Sequence, residues 1–262
     1  MRLKRILNAL NLRRKMKTYA TYEEAEFACA DDGYQHDELI DVIVQKNLNF
    51  QNGITNSPVV DEGSLKIISI IASMQWETSI NVIDFGGGGG MHYQICKNLL
   101  DPSVNLNWRV VETKAMVSAA KKLTTKSLKF YTDLNSARSS LGKVDLVFAS
   151  SSLQYTQNPL LSLRRLIDLD APYLCISRTP FLNEQTPIIS IQTSKLSDNG
   201  PGELPNIYKD KIIRYPIVYE SIQSVERLLL ENYRIRYKIK EYETFSMGSR
   251  TIDLFTYFAQ KN

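Results

Sequence analysis

Histidine and cysteine are scarce in this chain. Two histidines (His36, His92) and three cysteines (Cys29, Cys96, Cys175) are spread over 262 residues. The cysteines are odd in number, far apart and without a CxxC pair, so neither a disulfide framework nor a zinc cluster is expected, and a reducing cytoplasm fits best. Carboxylates alone can hold magnesium, but no ligand spacing points to such a site, and no metal is assigned. No apolar run approaches the roughly 18 residues of a membrane span. The basic N-terminus lacks the continuous apolar core of a secretory signal. Internal repeats and low-complexity segments are missing as well.

The composition, 43% hydrophobic and 23% charged, is that of an ordinary globular protein. The net charge of +4 misleads. Residues 1–17 hold Arg2, Lys4, Arg5, Arg13, Arg14, Lys15 and Lys17 and no acid; without these seven, 25 basic residues face 28 acidic ones. The basic character is therefore local. Leu3, Ile6, Leu7 and Leu10 fall on one helical face, so residues 2–17 read as a basic amphipathic helix. Such a helix suits an anionic membrane surface, a docking partner or a solvated face.

Residues 1–80 read as a helical extension, polar and helix-prone, broken near Gly33 and again at "QNGITNSP" (51–58). From residue 81 the rhythm changes. "NVIDF" (81–85), "NWRVVE" (107–112), "LKFY" (128–131), "VDLVFAS" (144–150) and "YLCIS" (173–177) have strand character, with helical patterns between them. That alternation predicts an α/β fold with a mostly parallel sheet and helices on both faces. Residues 179–218 carry Pro180, Pro187, Pro201, Pro205 and Pro216 and are expected to form an irregular insertion on the substrate side. A helix near 219–231 then leads into two alternating segments, "YRIRYKIKEYETF" and "RTIDLFTYFAQ", which predict a closing antiparallel hairpin. The second unit spans 81–262.

Five consecutive glycines, Gly86 to Gly90, follow the first of these strands. Glycine is costly to order, so the run implies close approach to the backbone. Three nucleotide-binding patterns compete. A P-loop requires GxxxxGK[ST], and here "MHY" follows the last glycine. A dinucleotide GxGxxG fingerprint places Met91 or His92 where its third glycine belongs. Acid-x-Gly-x-Gly-x-Gly is met in full by Asp84, Gly86, Gly88 and Gly90. S-adenosyl-L-methionine carries a sulfonium and an ammonium, which a carboxylate before the loop attracts; a pyrophosphate would be repelled. Glu112, at the end of the second strand, suits ribose hydroxyls in either kind of enzyme.

"VIDFGGGGG" with Glu112 resembles the class I S-adenosylmethionine-dependent methyltransferases over roughly residues 80–260. More narrowly, "TYEEA", "DFGGGGGMHY", "WRVVE", "SSSLQY", "SRTPF" and "IYKDKIIRYP", in this order, resemble a family of bacterial methyltransferases often associated with surface-polysaccharide gene clusters. The resemblance implies a Rossmann-like methyltransferase sheet and S-adenosyl-L-methionine as cofactor. It implies that Asp84 and the backbone of Phe85, Gly86, Gly87 and Gly88 hold the methionine portion, and that Glu112 holds the ribose. Asp133 becomes the candidate for the adenine amino group, and Ser150 and Gln154 border the methyl group. Gly87 and Gly89 depart from the general pattern, since those positions normally tolerate side chains; a more flexible loop is the expectation.

The implied reaction is an in-line methyl transfer to a small-molecule or glycan acceptor, in surface-polysaccharide biosynthesis by the narrower resemblance. A hydroxyl acceptor benefits from a general base. His92, at a predicted helix N-terminus, is the first candidate and Tyr155 the second. Arg178, after the fifth strand, is the candidate anchor for an acidic group on the acceptor, with Tyr208 and Tyr215 in a lid above it. The alternatives are a nucleic-acid methyltransferase recruited by the basic helix, for which no recognisable RNA-binding module is present, an NAD-dependent oxidoreductase, and a silent cofactor-binding assembly protein.

Overall fold

The computed structural model describes residues 17–29, 36–56, 62–75, 78–247 and 250–262. The predicted basic helix, apart from Lys17, and the predicted break near Gly33 lie outside them. The extension begins with a two-residue strand β1 (Thr18–Tyr19) and continues through helices α1 (Tyr22–Cys29), α2 (Asp37–Asn56) and α3 (Glu62–Ser73). Helix α2 runs through Gly53 and ends at Asn56, within the break expected over 51–58; its buried face reaches from Leu39 to Ile54, and burial there outweighs one glycine's helix penalty.

The αβ alternation then follows as β2 (Ser79–Phe85), α4 (Met91–Leu99), β3 (Asn105–Val111), α5 (Lys114–Ala119), β4 (Leu128–Tyr131), α6 (Leu134–Ser139), β5 (Leu146–Ser150), α7 (Pro159–Ile167) and β6 (Tyr173–Leu182). Strands β7 (Ile188–Lys195) and β8 (Ile212–Ser221), helix α8 (Ile222–Leu230) and the hairpin β9 (Tyr233–Met247) and β10 (Arg250–Lys261) complete the chain. The central sheet runs β4-β3-β2-β5-β6-β10-β9. Its first five strands are mutually parallel, and β10 is antiparallel to both neighbours. The architecture is α/β, a Rossmann-like sheet with an antiparallel C-terminal hairpin.

Both faces are covered, which is why the inner strands are almost continuously apolar. On one face Leu163, Leu166 and Leu229 from α7 and α8 pack against Val147, Leu174 and Tyr257. On the other, Ile67 and Ile71 of α3 and Tyr93 and Ile95 of α4 pack against Val82, Trp108 and Phe148. The strand order reverses between β2, which continues to β3, and β5 on its other side. Ligands of open α/β sheets bind beyond the carboxyl ends of the strands at such a reversal. The glycine run sits there.

Residues 179–218 are more regular than their prolines suggest. Strand β6 continues through Pro180 to Leu182, and β7 and β8 form an antiparallel pair. This pair, with β1, hangs from the far end of β6 through Phe181–Glu220 and Leu182–Ser221. Pro180 lies between the pairing of β6 with β5, which stops at Ser177, and that with β8, which begins at Phe181. Pro216 lies where β8 has only β7 beside it. A missing N–H is tolerated on such an open side. Irregular backbone is confined mainly to 183–187 and 199–211. Among the described residues, no helix is long and apolar enough to cross a membrane.

Candidate functional site

The glycine turn is built on left-handed backbone. Gly86, Gly88 and Gly90 have φ of 70°, 55° and 82°, values that L side chains rarely adopt. Gly87 and Gly89 are glycine for a different reason. A Cβ on Gly87 would lie 2.4 Å from Asp84 Oδ2, and one on Gly89 would lie 2.5 Å from the side-chain amide of Asn47 on α2. The expected surplus flexibility is thus not what these two residues provide: the loop is pressed between a carboxylate below it and an amide beside it. On Gly86 a Cβ would strike Ser152, whose Oγ donates to Phe85 O at 2.7 Å and ties β5's end to the turn.

The turn consumes its own amides. Gly86 N donates to Val111 O, Gly90 N to Gly87 O, and Gly88 N to Glu112 Oε1 at 3.1 Å. Glu112 Oε2 also accepts from Thr113 N at 2.9 Å. A phosphate cradle depends on such amides being offered to the ligand; here these three are engaged by the protein itself.

Acceptors, by contrast, are left over. Asp84 is fully buried. Its Oδ2 accepts from Trp108 Nε1 at 2.9 Å, while Oδ1 accepts from none of the described residues. Burial raises its pKa from 3.8 to about 7, the Trp108 bond opposes that rise, and the nearby Glu112 charge adds to it. Asn47 is also buried; its Nδ2 donates to Ile43 O at 2.8 Å, and its Oδ1 accepts from none of the described residues. The same holds for Oε1 of the buried Gln154, whose Nε2 donates to Ser151 Oγ at 3.1 Å. A buried acceptor without a donor is expensive. Two of them, Asp84 Oδ1 and Asn47 Oδ1, belong to side chains that lie directly against the turn.

Comparison with known proteins gives remote likenesses. No family model matches the chain, and no curated protein does. Solved structures of similar path include an S-adenosylmethionine-dependent methyltransferase from Clostridium acetobutylicum, 15% identical, with 83% of this chain and 99% of that one covered at a TM-score of 0.49. Another is an S-adenosylmethionine-dependent methyltransferase from Methanosarcina mazei, at 12% identity, 73% and 96% coverage and a TM-score of 0.47. A third is magnesium protoporphyrin IX methyltransferase from Synechocystis with bound SAH, at 14% identity, 86% and 100% coverage and a TM-score of 0.45. These likenesses are remote, and the chemistry of the site rests on its own atoms.

The remaining candidates separate by location. His92 lies in the first turn of α4, edge-on to Phe148 with ring centroids 4.8 Å apart, and its Nδ1 is 3.9 Å from Asp84 Oδ2. It is a neighbour of the buried carboxylate on the α4 face of the sheet. Asp133 is exposed and caps α6, accepting from Ser136 N at 2.8 Å; that backbone bond holds its pKa below the usual carboxylate value. Ser150 ends β5 opposite Ser177.

Tyr155 does not suit a general base. Burial raises its pKa above the ordinary phenol value, so it stays protonated near neutrality, and its hydroxyl donates to Gln192 Oε1 at 3.0 Å. Gln192 in turn donates to Tyr215 at 3.3 Å, whose ring meets that of Tyr155 edge-on at 5.1 Å. Tyr215 therefore belongs to strand β8 and this wall. Tyr208, the other expected lid residue, instead donates to Asp41 of α2.

Arg178 is exposed, as expected of an anchor, but its backbone was not foreseen. It sits at a bulge in β6 with φ 51°, where arginine is strained. Arg178 N donates to Thr256 Oγ1 at 3.3 Å. Thr256 Oγ1 also lies 2.9 Å from Ser177 Oγ and donates to Glu241 Oε1 at 2.7 Å, and Glu241 pairs with Lys66. The bulge is thus pinned from the next strand. Ser151, at the matching end of β5, is also left-handed, with φ 52°, and its N donates to Ser177 O.

Asn47, Trp108 and Ser152 were not anticipated from sequence. Trp108 carried a weak signal, since an indole N–H inside a buried strand needs an acceptor. Asn47 carried one too: it interrupts the apolar stripe of Ile40, Ile43 and Ile54 on α2.

Proposed function

We propose that this protein is an S-adenosyl-L-methionine-dependent methyltransferase. The observation that carries the proposal is the fully buried Asp84, with Oδ1 unpaired among the described residues and a pKa near 7, beneath a turn whose amides at Gly86, Gly88 and Gly90 are already spent. Such a turn welcomes a cation and opposes a pyrophosphate. When bound, the cofactor supplies a methyl group on a positively charged sulfur. Asp84 and the Phe85–Gly88 backbone hold its methionine portion. Glu112, at the end of β3 and fixed by backbone donors from Gly88 and Thr113, is the ribose candidate. Asp133 is the adenine candidate, and Ser150 and Gln154 border the methyl group.

The acceptor lies beyond the ends of β5 and β6. Tyr155, Tyr215 and Gln192 form a neutral, hydrogen-bonded wall there that orients hydroxyl-bearing ligands, and Arg178 holds an acidic group such as phosphate or uronate. This chemistry suits a glycan or small polar molecule, in keeping with the resemblance to methyltransferases associated with surface-polysaccharide gene clusters. The protein's contribution is alignment of nucleophile, methyl and sulfur in a dry site. His92, beside the buried Asp84, is the first candidate for the acceptor's general base. The basic segment 2–17 brings the enzyme to anionic membranes; co-sedimentation with anionic vesicles that survives its deletion would exclude that role.

Calorimetry with S-adenosylhomocysteine and with NAD tests the central reading. Binding of the former alone is expected. Binding of NAD without S-adenosylhomocysteine would replace the methyltransferase with an oxidoreductase.

A further inference from the structure

We propose that Asn47, on helix α2 of the N-terminal extension, is a cofactor-binding residue whose side-chain carbonyl accepts a hydrogen bond from the ligand's ammonium group. This rests on the methyltransferase reading and adds a contact from outside the αβ unit.

Asn47 is 2% exposed. Its Nδ2 is fixed by the 2.8 Å bond to Ile43 O, one turn back on the same helix. With the amide so held, Oδ1 is left without a donor among the described residues. Its surroundings favour an apolar residue: Ile43 and Val44 are buried beside it, and a leucine here would continue the stripe at no polar cost. An asparagine persists at a buried helix position when its polar atom has a partner. The glycine turn lies directly against it, so closely that a methyl group on Gly89 would overlap the amide. Gly89 and Asn47 thus explain each other: the backbone must come this close for the amide to border the ligand's space.

The ligand must bring the donor. Gly88 N and Gly90 N are already committed to Glu112 and Gly87. An ammonium offers three N–H groups, and Asp84 Oδ1, on the other side of the turn, is likewise unfilled. The same face of α2 is anchored independently of the ligand, since Lys46 Nζ donates to Ser197 O at 2.8 Å and Ile43 packs against Gly200. Asn47 is therefore held in place before the cofactor arrives.

The test compares two ligands that differ in the amino-acid portion: S-adenosylhomocysteine, and 5′-methylthioadenosine, which lacks it. Asn47→Leu is expected to weaken S-adenosylhomocysteine by roughly 10- to 100-fold, the range of a hydrogen bond to a charged group. It should leave methylthioadenosine affinity unchanged and unliganded Tm equal or higher. Equal weakening of both ligands, or of neither, overturns the assignment. Should Asn47→Leu fail to fold, Asn47→Asp is measured on the same pair. Tighter S-adenosylhomocysteine binding with unchanged methylthioadenosine binding supports the proposal, and unchanged binding of both ligands, or loss of both, overturns it. A wild-type protein that binds neither ligand refutes the methyltransferase reading itself, whereas wild-type binding that is insensitive to both variants refutes only the role of Asn47.

Discussion

Replacing Asp84 with asparagine sets stability against binding in a way that depends on pH. The carboxylate is buried completely, and its pKa is pushed from 3.8 to about 7. Each unit of that elevation is worth about 1.36 kcal/mol, so the ionised form costs the fold about 4 kcal/mol. The folded pKa lies above the unfolded one. The contribution to stability is therefore whole below about pH 4, erodes as pH rises from about 4 to 7, and stays at its minimum above. Asparagine is nearly isosteric, still accepts from Trp108 Nε1, and does not titrate. Relative to wild type, the unliganded mutant should gain about 3 kcal/mol more at about pH 8 than at about pH 4.5. Urea unfolding at the two pH values measures this, and in Tm the gain is several degrees at about 2–4 °C per kcal/mol. Calorimetry supplies the second half. The mutant should lose S-adenosylhomocysteine binding, and wild-type affinity should fall about tenfold per unit below pH 7, where the ligand's amino group remains charged. A mutant equally destabilised at both pH values, with wild-type affinity, would show that Asp84 merely accepts a structural bond from Trp108.

Three further outcomes follow from the same geometry. Gly87→Ala should cost about 1–3 kcal/mol by overpacking against Asp84 and abolish cofactor binding, whereas Gly53→Ala, with nothing within 4 Å of its new methyl, should gain about 0.5–1 kcal/mol; chemical denaturation of both variants checks the contrast. Glu112→Gln leaves one acceptor oxygen for two backbone donors, so unliganded stability should drop by about 1 kcal/mol and cofactor binding by about 1–3 kcal/mol; full affinity in calorimetry would exclude Glu112 from the site. Arg178→Gly should relieve left-handed strain and stabilise the protein by about 1 kcal/mol, while acceptor KM rises and cofactor affinity holds; unchanged turnover would mean that Arg178 is not the anchor.

The αβ alternation, the closing hairpin and the position of the glycine turn were legible in the sequence. These are local signals: strands buried on both faces are runs of apolar residues, and five glycines after "VID" have few structural excuses. Asp84, Glu112 and the odd-spaced glycines were legible for the same reason, each lying within a few residues of a strand end. The prolines misled because their cost depends on whether a neighbouring strand needs their N–H, and Pro180 and Pro216 each have a strand partner on one side only. The rest depends on contacts between segments distant in the chain. Asn47 meets Gly89 across 42 residues of chain, so the second reason for five glycines is invisible to any local pattern. Tyr155 passes from candidate base to protonated donor because residues of β7 and β8 bury it. Arg178 is left-handed because Ser177 and Thr256 hold a bulge between two strands nearly 80 residues apart in sequence. Burial and strain are properties of what surrounds a residue, and those surroundings exist only once the chain has folded.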